Sequence, residues 1–212
     1  VIITCVFEDN FYAQLLKSSV PFVLLDSYIK NSAVLNVGLE DFKGGYIATK
    51  YLIDNGHRNI VFASPPIYNR GVINERFKGY KSALKDNGIQ FIKENVYQQE
   101  ISIDDGTRLG HELAQRKDIT AIFATADILA AGIMSGLHQK GVIIPDDMSI
   151  IGFDDLFISK ITSPQLTTIH QDTDEKGRIA ASMLINKLEK KVCINNQILP
   201  VTLVERNSVV KI

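Results

Sequence analysis

Short apolar, β-branched runs alternate with amphipathic helical patterns along the whole chain, and this switching of period is what most narrows the folds open to it. Runs at residues 1–7, 21–26, 34–37, 59–63, 120–125, 149–155 and 197–206 read as strands, as does the run after Pro164 that ends at His170 and Gln171. Helical patterns fall between them at residues 11–17, 40–55, 74–87, 105–116, 128–139 and 174–190, with Gly56 and Gly88 as stops. A strand, a helix and a second strand of the same sheet run parallel with a right-handed crossover, so the predicted class is α/β with parallel sheets. Ser64-Pro65-Pro66 is a stiff break after which the pattern restarts, which predicts two α/β blocks.

Composition removes several functions. A chain of 212 residues, 45% apolar, buries a sizeable core, and a formal net charge of -1 does not suit a chain that grips nucleic acid by itself. Lys187, Lys190 and Lys191 form the densest basic group and read as a solvated helix face. Two cysteines, Cys5 and Cys193, make neither a disulfide framework nor a metal motif, which fits a reducing, cytoplasmic setting. No run is long enough to cross a membrane, and no leader pattern precedes the first strand. The four histidines show no metal spacing, there is no nucleophile elbow, and Gly44-Gly45 lacks the context of a phosphate loop. No cofactor, metal site or catalytic residue is expected.

Polar groups at strand ends and helix starts are therefore the candidates for function, because parallel α/β units hold ligands outside the carboxyl ends of their strands. Ser149-Ile-Ile-Gly-Phe-Asp-Asp155 delivers two carboxylates at such an end. Taken alone, Asp154 and Asp155 read equally well as caps of a helix at residues 156–161. As glycosidase acids they fit poorly, since adjacent residues of a strand point to opposite faces. Arg76 opens a helix with five fixed donors, enough for two ligand oxygens; a salt bridge between elements is its alternative.

Ile151-Gly152-Phe153-Asp154-Asp155 followed by Pro164-x-Leu-Thr-Thr-Ile-x-Gln171 and Gly177 closely resembles the effector-binding core of the LacI/GalR family of bacterial transcription regulators. Gly44-Gly45-Tyr46 through Gly56-His57-Arg58, Arg76-x-x-Gly79-Tyr80 and Leu199-Pro200-x-x-Leu203-Val204-x-Arg206-x-Ser208 carry the resemblance over essentially the whole chain. It implies two Rossmann-like lobes of the type I periplasmic-binding-protein kind, joined by three crossovers near residues 64–66, 170–172 and 193–197, with ligand between the lobes. The expected division is residues 1–65 with helix 172–194 in an incomplete N-terminal lobe, and residues 66–170 with strand 196–212 in the other.

The same resemblance assigns effector contacts to Asp154 and Arg76, and to Gln171 on a crossover, with His170 beside it structural. Asp41 stands where the family commonly has Asp-Asn and this chain has Glu40-Asp41. Asp127 follows Ala126, which replaces a common asparagine, so Asp127 reads as a contact or as a helix cap; Ile101 falls where some members place an aromatic, giving an aliphatic wall. The implied effector is a sugar or sugar derivative. The implied partners are a second copy of the chain and operator DNA, the latter reached through a helix-turn-helix headpiece that, with a hinge helix and two strand-helix units, precedes this stretch in the family. A periplasmic sugar-binding protein of the same fold is the alternative.

Overall fold

In the computed structural model, which describes residues 1–4, 9–28, 34–192 and 194–212, the alternation is realised as two sheets whose registered strand pairs are parallel. The chain divides into two compact units, one of Val1–Glu40, Asn69–Val72 and Gln171–Val201 and a larger one of Asp41–Tyr68, Ile73–His170 and Thr202–Ile212. Cys5 and Cys193, the end of the first expected strand and part of the crossover expected at 193–197 lie outside the described residues.

The smaller unit holds β1 (Ile2–Thr4), α1 (Asp9–Lys17), β2 (Val23–Leu25), β3 (Leu35–Leu39), α7 (Thr173–Leu188) and β9 (Asn196–Leu199). Its four-stranded sheet runs β1-β2-β3-β9. Side chains alternate across it as the pleat requires: Val23, Leu35 and Val37 pack against Ala180 and Met183 of α7, while Leu24 and Val34 pack with Ile3, Leu15 and Phe22. Asp172 caps α7 by accepting from Glu175 N at 2.8 Å.

The larger unit contains α2 (Asp41–Asp54), β4 (Ile60–Ser64), α3 (Val72–Asp86), β5 (Val96–Gln98), α4 (Ile103–Leu113), β6 (Ala121–Ala124), α5 (Asp127–Gln139), β7 (Ser149–Asp154), α6 (Phe157–Ile161), β8 (Thr167–Gln171) and β10 (Val201–Val204). Its six-stranded sheet runs β10-β8-β7-β6-β4-β5. One face carries Val61, Ala63, Ile122, Ala124 and Ile150 against α4 and α5. The other carries Phe62, which meets Phe123 edge-on at 5.4 Å and Tyr80 of α3 at 5.1 Å between ring centroids.

Two helix crossings are made close by glycine. A Cβ on Gly45 of α2 would stand 2.1 Å from the Arg76 carbonyl oxygen, and one on Gly79 of α3 would stand 2.1 Å from that of Phe42. Gly106 and Gly110 of α4 face Gly132 and Gly136 of α5 in the same way, each added Cβ falling 2.2 to 2.6 Å from a carbonyl oxygen of the opposite helix.

The division of the chain differs from the expected one at both ends. Strand β4 pairs with β5 and β6, so residues 41–64 belong to the larger unit and the boundary expected at 65 falls after Glu40. Every residue of β4 is buried, and only a central position covered on both faces satisfies such a strand. The run at 197–206 is two strands: β9 pairs with β3, whereas β10 joins the larger sheet. Pro200 separates them, lacking the N–H with which a single strand would continue its ladder.

Candidate functional site

In the larger unit the carboxyl ends of β6 and β7 and the starts of α2 and α3 gather Arg76, Asp41 and Asp154. The Gly45–Gly79 crossing holds α2 against α3, which brings Arg76 Nε to Asp41 Oδ1 at 2.8 Å. Arg76 Nη1 donates to the Thr125 carbonyl at 2.7 Å and stands 3.9 Å from Asp154 Oδ1. The guanidinium lies over Phe153, with Cζ 3.4 Å from the ring centroid. Asp41 and Arg76 are buried, while the Asp154 side chain keeps 18% of its surface exposed. Asp41 is thus a partner that fixes Arg76 rather than a group on the surface. The reading of Arg76 as a grip on two ligand oxygens narrows accordingly: Nε and Nη1 are engaged, and Nη2 is the nitrogen that makes no hydrogen bond among the described residues.

The turn after β7 is strained. Asp154 and Asp155 both have positive φ, 108° and 54°, where non-glycine residues cost on the order of 1–3 kcal/mol. Asp155 turns away from Asp154 and accepts from Arg206 Nη2 at 2.5 Å, pairs with His170 Nδ1 at 3.0 Å and receives the Ser159 hydroxyl at 3.3 Å. Burial works against ionisation of Asp155, but the hydrogen bond and charge of Arg206, with His170 and Lys160, outweigh it and hold the carboxyl below its ordinary range. These contacts tie Asp155 and His170 into the local structure. The two carboxylates sit in separate environments, an arrangement unlike a pair of acids facing one substrate.

Asp127 departs from both of its expected roles. The N-cap of α5 is Ala126, and Asp127 is fully buried at the first helical position. Its Oδ1 accepts from the Thr168 hydroxyl at 2.6 Å and its Oδ2 from Leu156 N at 2.7 Å. Gly152 makes room for it, since a Cβ there would stand 2.3 Å from Asp127 Oδ1. Burial pushes its pKa up to about 7 against these two hydrogen bonds, and the charges of Asp154 and Asp155 push the same way. A carboxylate with no exposed surface and both oxygens engaged does not meet a ligand directly.

Ile101 is 48% exposed in the bend before Ser102, the cap of α4. Gln171, the last residue of β8, falls in the smaller unit, where its Oε1 accepts from Lys176 Nζ at 2.8 Å, and the same ammonium meets both oxygens of Asp26 at 2.8 and 3.0 Å. An ammonium only donates, so the Gln171 amide is held with its oxygen toward Lys176 and its NH2 turned elsewhere. Lys176 is buried, and Asp26 holds a φ of 52°. Neither was legible as a functional residue: Lys176 sits among the polar residues that open α7, and Asp26 ends a strand like several others. Arg206 lay in a motif quoted for its resemblance, yet its partner Asp155 is 51 residues away.

Among the described residues no group of three or more His, Cys, Asp or Glu could hold a metal ion, and no helix is long and apolar enough to cross a membrane. Residues 49–209 match the family model described as a periplasmic binding protein-like domain. The HTH-type transcriptional repressor PurR of Pectobacterium atrosepticum is 35% identical over 175 residues, which is 82% of this chain and 51% of that protein. The corresponding repressor of Glaesserella parasuis is 31% identical over 87% of this chain and 54% of its own length. The chain spans about half the length of the curated relatives it matches. Among solved structures, a transcription regulator from Lactobacillus plantarum superposes with a TM-score of 0.90 at 28% identity, covering 100% of this chain and 81% of the other. A LacI family regulator from Enterococcus faecium with bound ribose gives 0.86 at 30% identity, covering 97% and 76%. The fold, the strand-end motifs and these matches together make the chain a member of the periplasmic-binding-protein-like family, of the LacI/GalR effector-binding type.

Proposed function

We propose that the chain senses a small polyhydroxylated effector, a sugar or sugar derivative, for a DNA-binding regulator. The observation that carries this reading is the partly exposed Asp154 carboxylate beside an arginine already oriented by Asp41, Thr125 and Phe153. Such a carboxylate accepts from two vicinal hydroxyls while Arg76 Nη2 donates to a ligand oxygen, the pairing that sugar recognition needs. A related regulator holds ribose, and another, CelR, is described as a complex with cellobiose at 26% identity and a TM-score of 0.88. In the intact protein, a cytoplasmic homodimer, effector binding changes the grip on operator DNA of a reading domain outside this chain; such coupling is typically about 1–3 kcal/mol.

A thermal-shift screen of the chain with ribose, cellobiose, further sugars, sugar phosphates and purines tests the reading. One sugar should raise the melting temperature in a dose-dependent way, with about 2.7 kcal/mol of stabilisation at a hundred times its Kd. No shift from any sugar, or a sugar shift that persists unchanged in Asp154→Ala, counts against it.

A further inference from the structure

We infer that Asp127 is a positioning residue: from inside the protein it clamps the turn that aims Asp154, and effector affinity depends on that clamp. This rests on the reading of Asp154 as an effector contact. Asp127 touches three segments at once. Oδ2 accepts from the backbone of Leu156, two residues past Asp154; Oδ1 accepts from Thr168 on β8; and the carboxylate lies against Gly152, two residues before Asp154. The segment between Gly152 and Leu156 holds two consecutive non-glycine residues at positive φ, a conformation that persists only where its surroundings over-determine it. Asp155 is tied by Arg206, His170 and Ser159, but the backbone N–H that closes the turn is tied by Asp127.

The choice of residue follows from geometry. Both groups that face Asp127 donate to it, and the Leu156 N–H is the one that can only donate, so the clamp needs an acceptor there and a hydrogen-bonding partner for Thr168. Asparagine keeps one acceptor for Leu156 N, and the Thr168 hydroxyl can rotate to accept from its NH2, so Asp127→Asn preserves the clamp; Asp127→Ala removes it and leaves a part-buried N–H without its acceptor.

The test combines amide hydrogen exchange, nuclear magnetic resonance and titration with ribose and cellobiose. In Asp127→Ala the Leu156 amide should exchange about tenfold faster or more, with protection in β4 and β6 kept, and sugar affinity should fall about tenfold or more. Asp127→Asn should retain protection and affinity within about threefold. The Leu156 amide resonance of the unaltered chain should titrate between pH 5.5 and 8.5 and cease to do so in Asp127→Asn. That variant keeps the other groups around the turn (Asp154, Asp155, His170, Arg76, Arg206 and Lys160), so the loss isolates Asp127. Unchanged Leu156 protection in Asp127→Ala overturns the proposal, as does faster exchange with sugar affinity intact. If Asp127→Ala does not fold, Asp127→Asn decides: sugar affinity that falls about tenfold or more there while Leu156 protection is kept overturns it. If neither sugar binds the unaltered chain, exchange alone decides the clamp. Normal affinity in Asp154→Ala sinks the effector site itself, a result distinct from all of these.

Discussion

At the scale of single residues, the turn after β7 separates two carboxylates that the sequence places side by side. Asp154→Ala should weaken sugar binding about ten- to hundredfold, because charge-assisted hydrogen bonds contribute roughly 1.5–3 kcal/mol each, while leaving the melting temperature nearly unchanged. Asp155→Ala should spare affinity and cost about 3 kcal/mol, since it strands the half-buried Arg206. Calorimetric titration and melts of the two variants separate these effects. Their pH dependences have opposite signs. Asp155, held below its ordinary pKa, contributes stability that is present above about pH 4 and is lost as the pH falls through its folded value. Asp127, pushed up to about 7, binds its proton more tightly in the folded chain, so its contribution declines as pH rises from about 4 to 7 and is level above that. Melts across pH 5 to 8 should therefore show the unaltered chain losing stability relative to Asp127→Asn as pH rises. A constant difference between the two would place the Asp127 pKa near its ordinary value.

Among secondary elements, glycines decide how closely helices approach and hence where the site residues stand. Gly132→Ala would gain up to about 1 kcal/mol of helix propensity but push a methyl to 2.5 Å from the Ile103 carbonyl oxygen, so a net loss of about 1–3 kcal/mol is expected in denaturant melts. The α2–α3 crossing has a second consequence. Gly45→Ala presses on the Arg76 backbone, with the added Cβ 2.1 Å from its carbonyl oxygen, and should lower sugar affinity as well as stability. Gly132→Ala, at the α4–α5 crossing, should lower stability with affinity kept. Equal affinity losses in the two variants would mean that Arg76 is not placed by its helix crossing.

For the whole molecule, a net charge of -1 with basic residues scattered along the sequence does not suit phosphate binding, so the chain by itself should show no salt-sensitive, sequence-specific DNA binding. Electrophoretic shifts with a panel of palindromic operators check this, and one nanomolar complex would refute it. The proposed homodimer matches near-palindromic operators, each read by two heads. Leu156, Phe157 and Ile161 expose apolar surface around α6, with Phe157 at 73%. Phe157→Asp with Ile161→Asp should shift the intact protein toward monomer in light scattering at micromolar concentration, with sugar affinity kept.

The sequence by itself determined the class and most of the ingredients of the site. Period switching, glycine stops and strand-end polar residues are local properties, and they identified the parallel α/β pattern, Arg76 at a helix start and the Asp154-Asp155 pair at a strand end. Tertiary structure decided the rest, because it depends on which elements become neighbours. Local pattern assigned β4 to the first block, but a strand buried on both faces needed partners on both edges and found them in β5 and β6. The run through Pro200 looked continuous, and only the sheets that β9 and β10 join show it to be two strands. Asp127 looked like a helix cap or a ligand contact, and its place over Gly152, between Leu156 and Thr168, comes from packing α5 onto β7 and β8. Arg206 and Lys176 acquire their meaning from Asp155 and Asp26, 51 and 150 residues away. A residue's type and local period fix what it is able to do, and burial with non-local partners fixes which of those things it does.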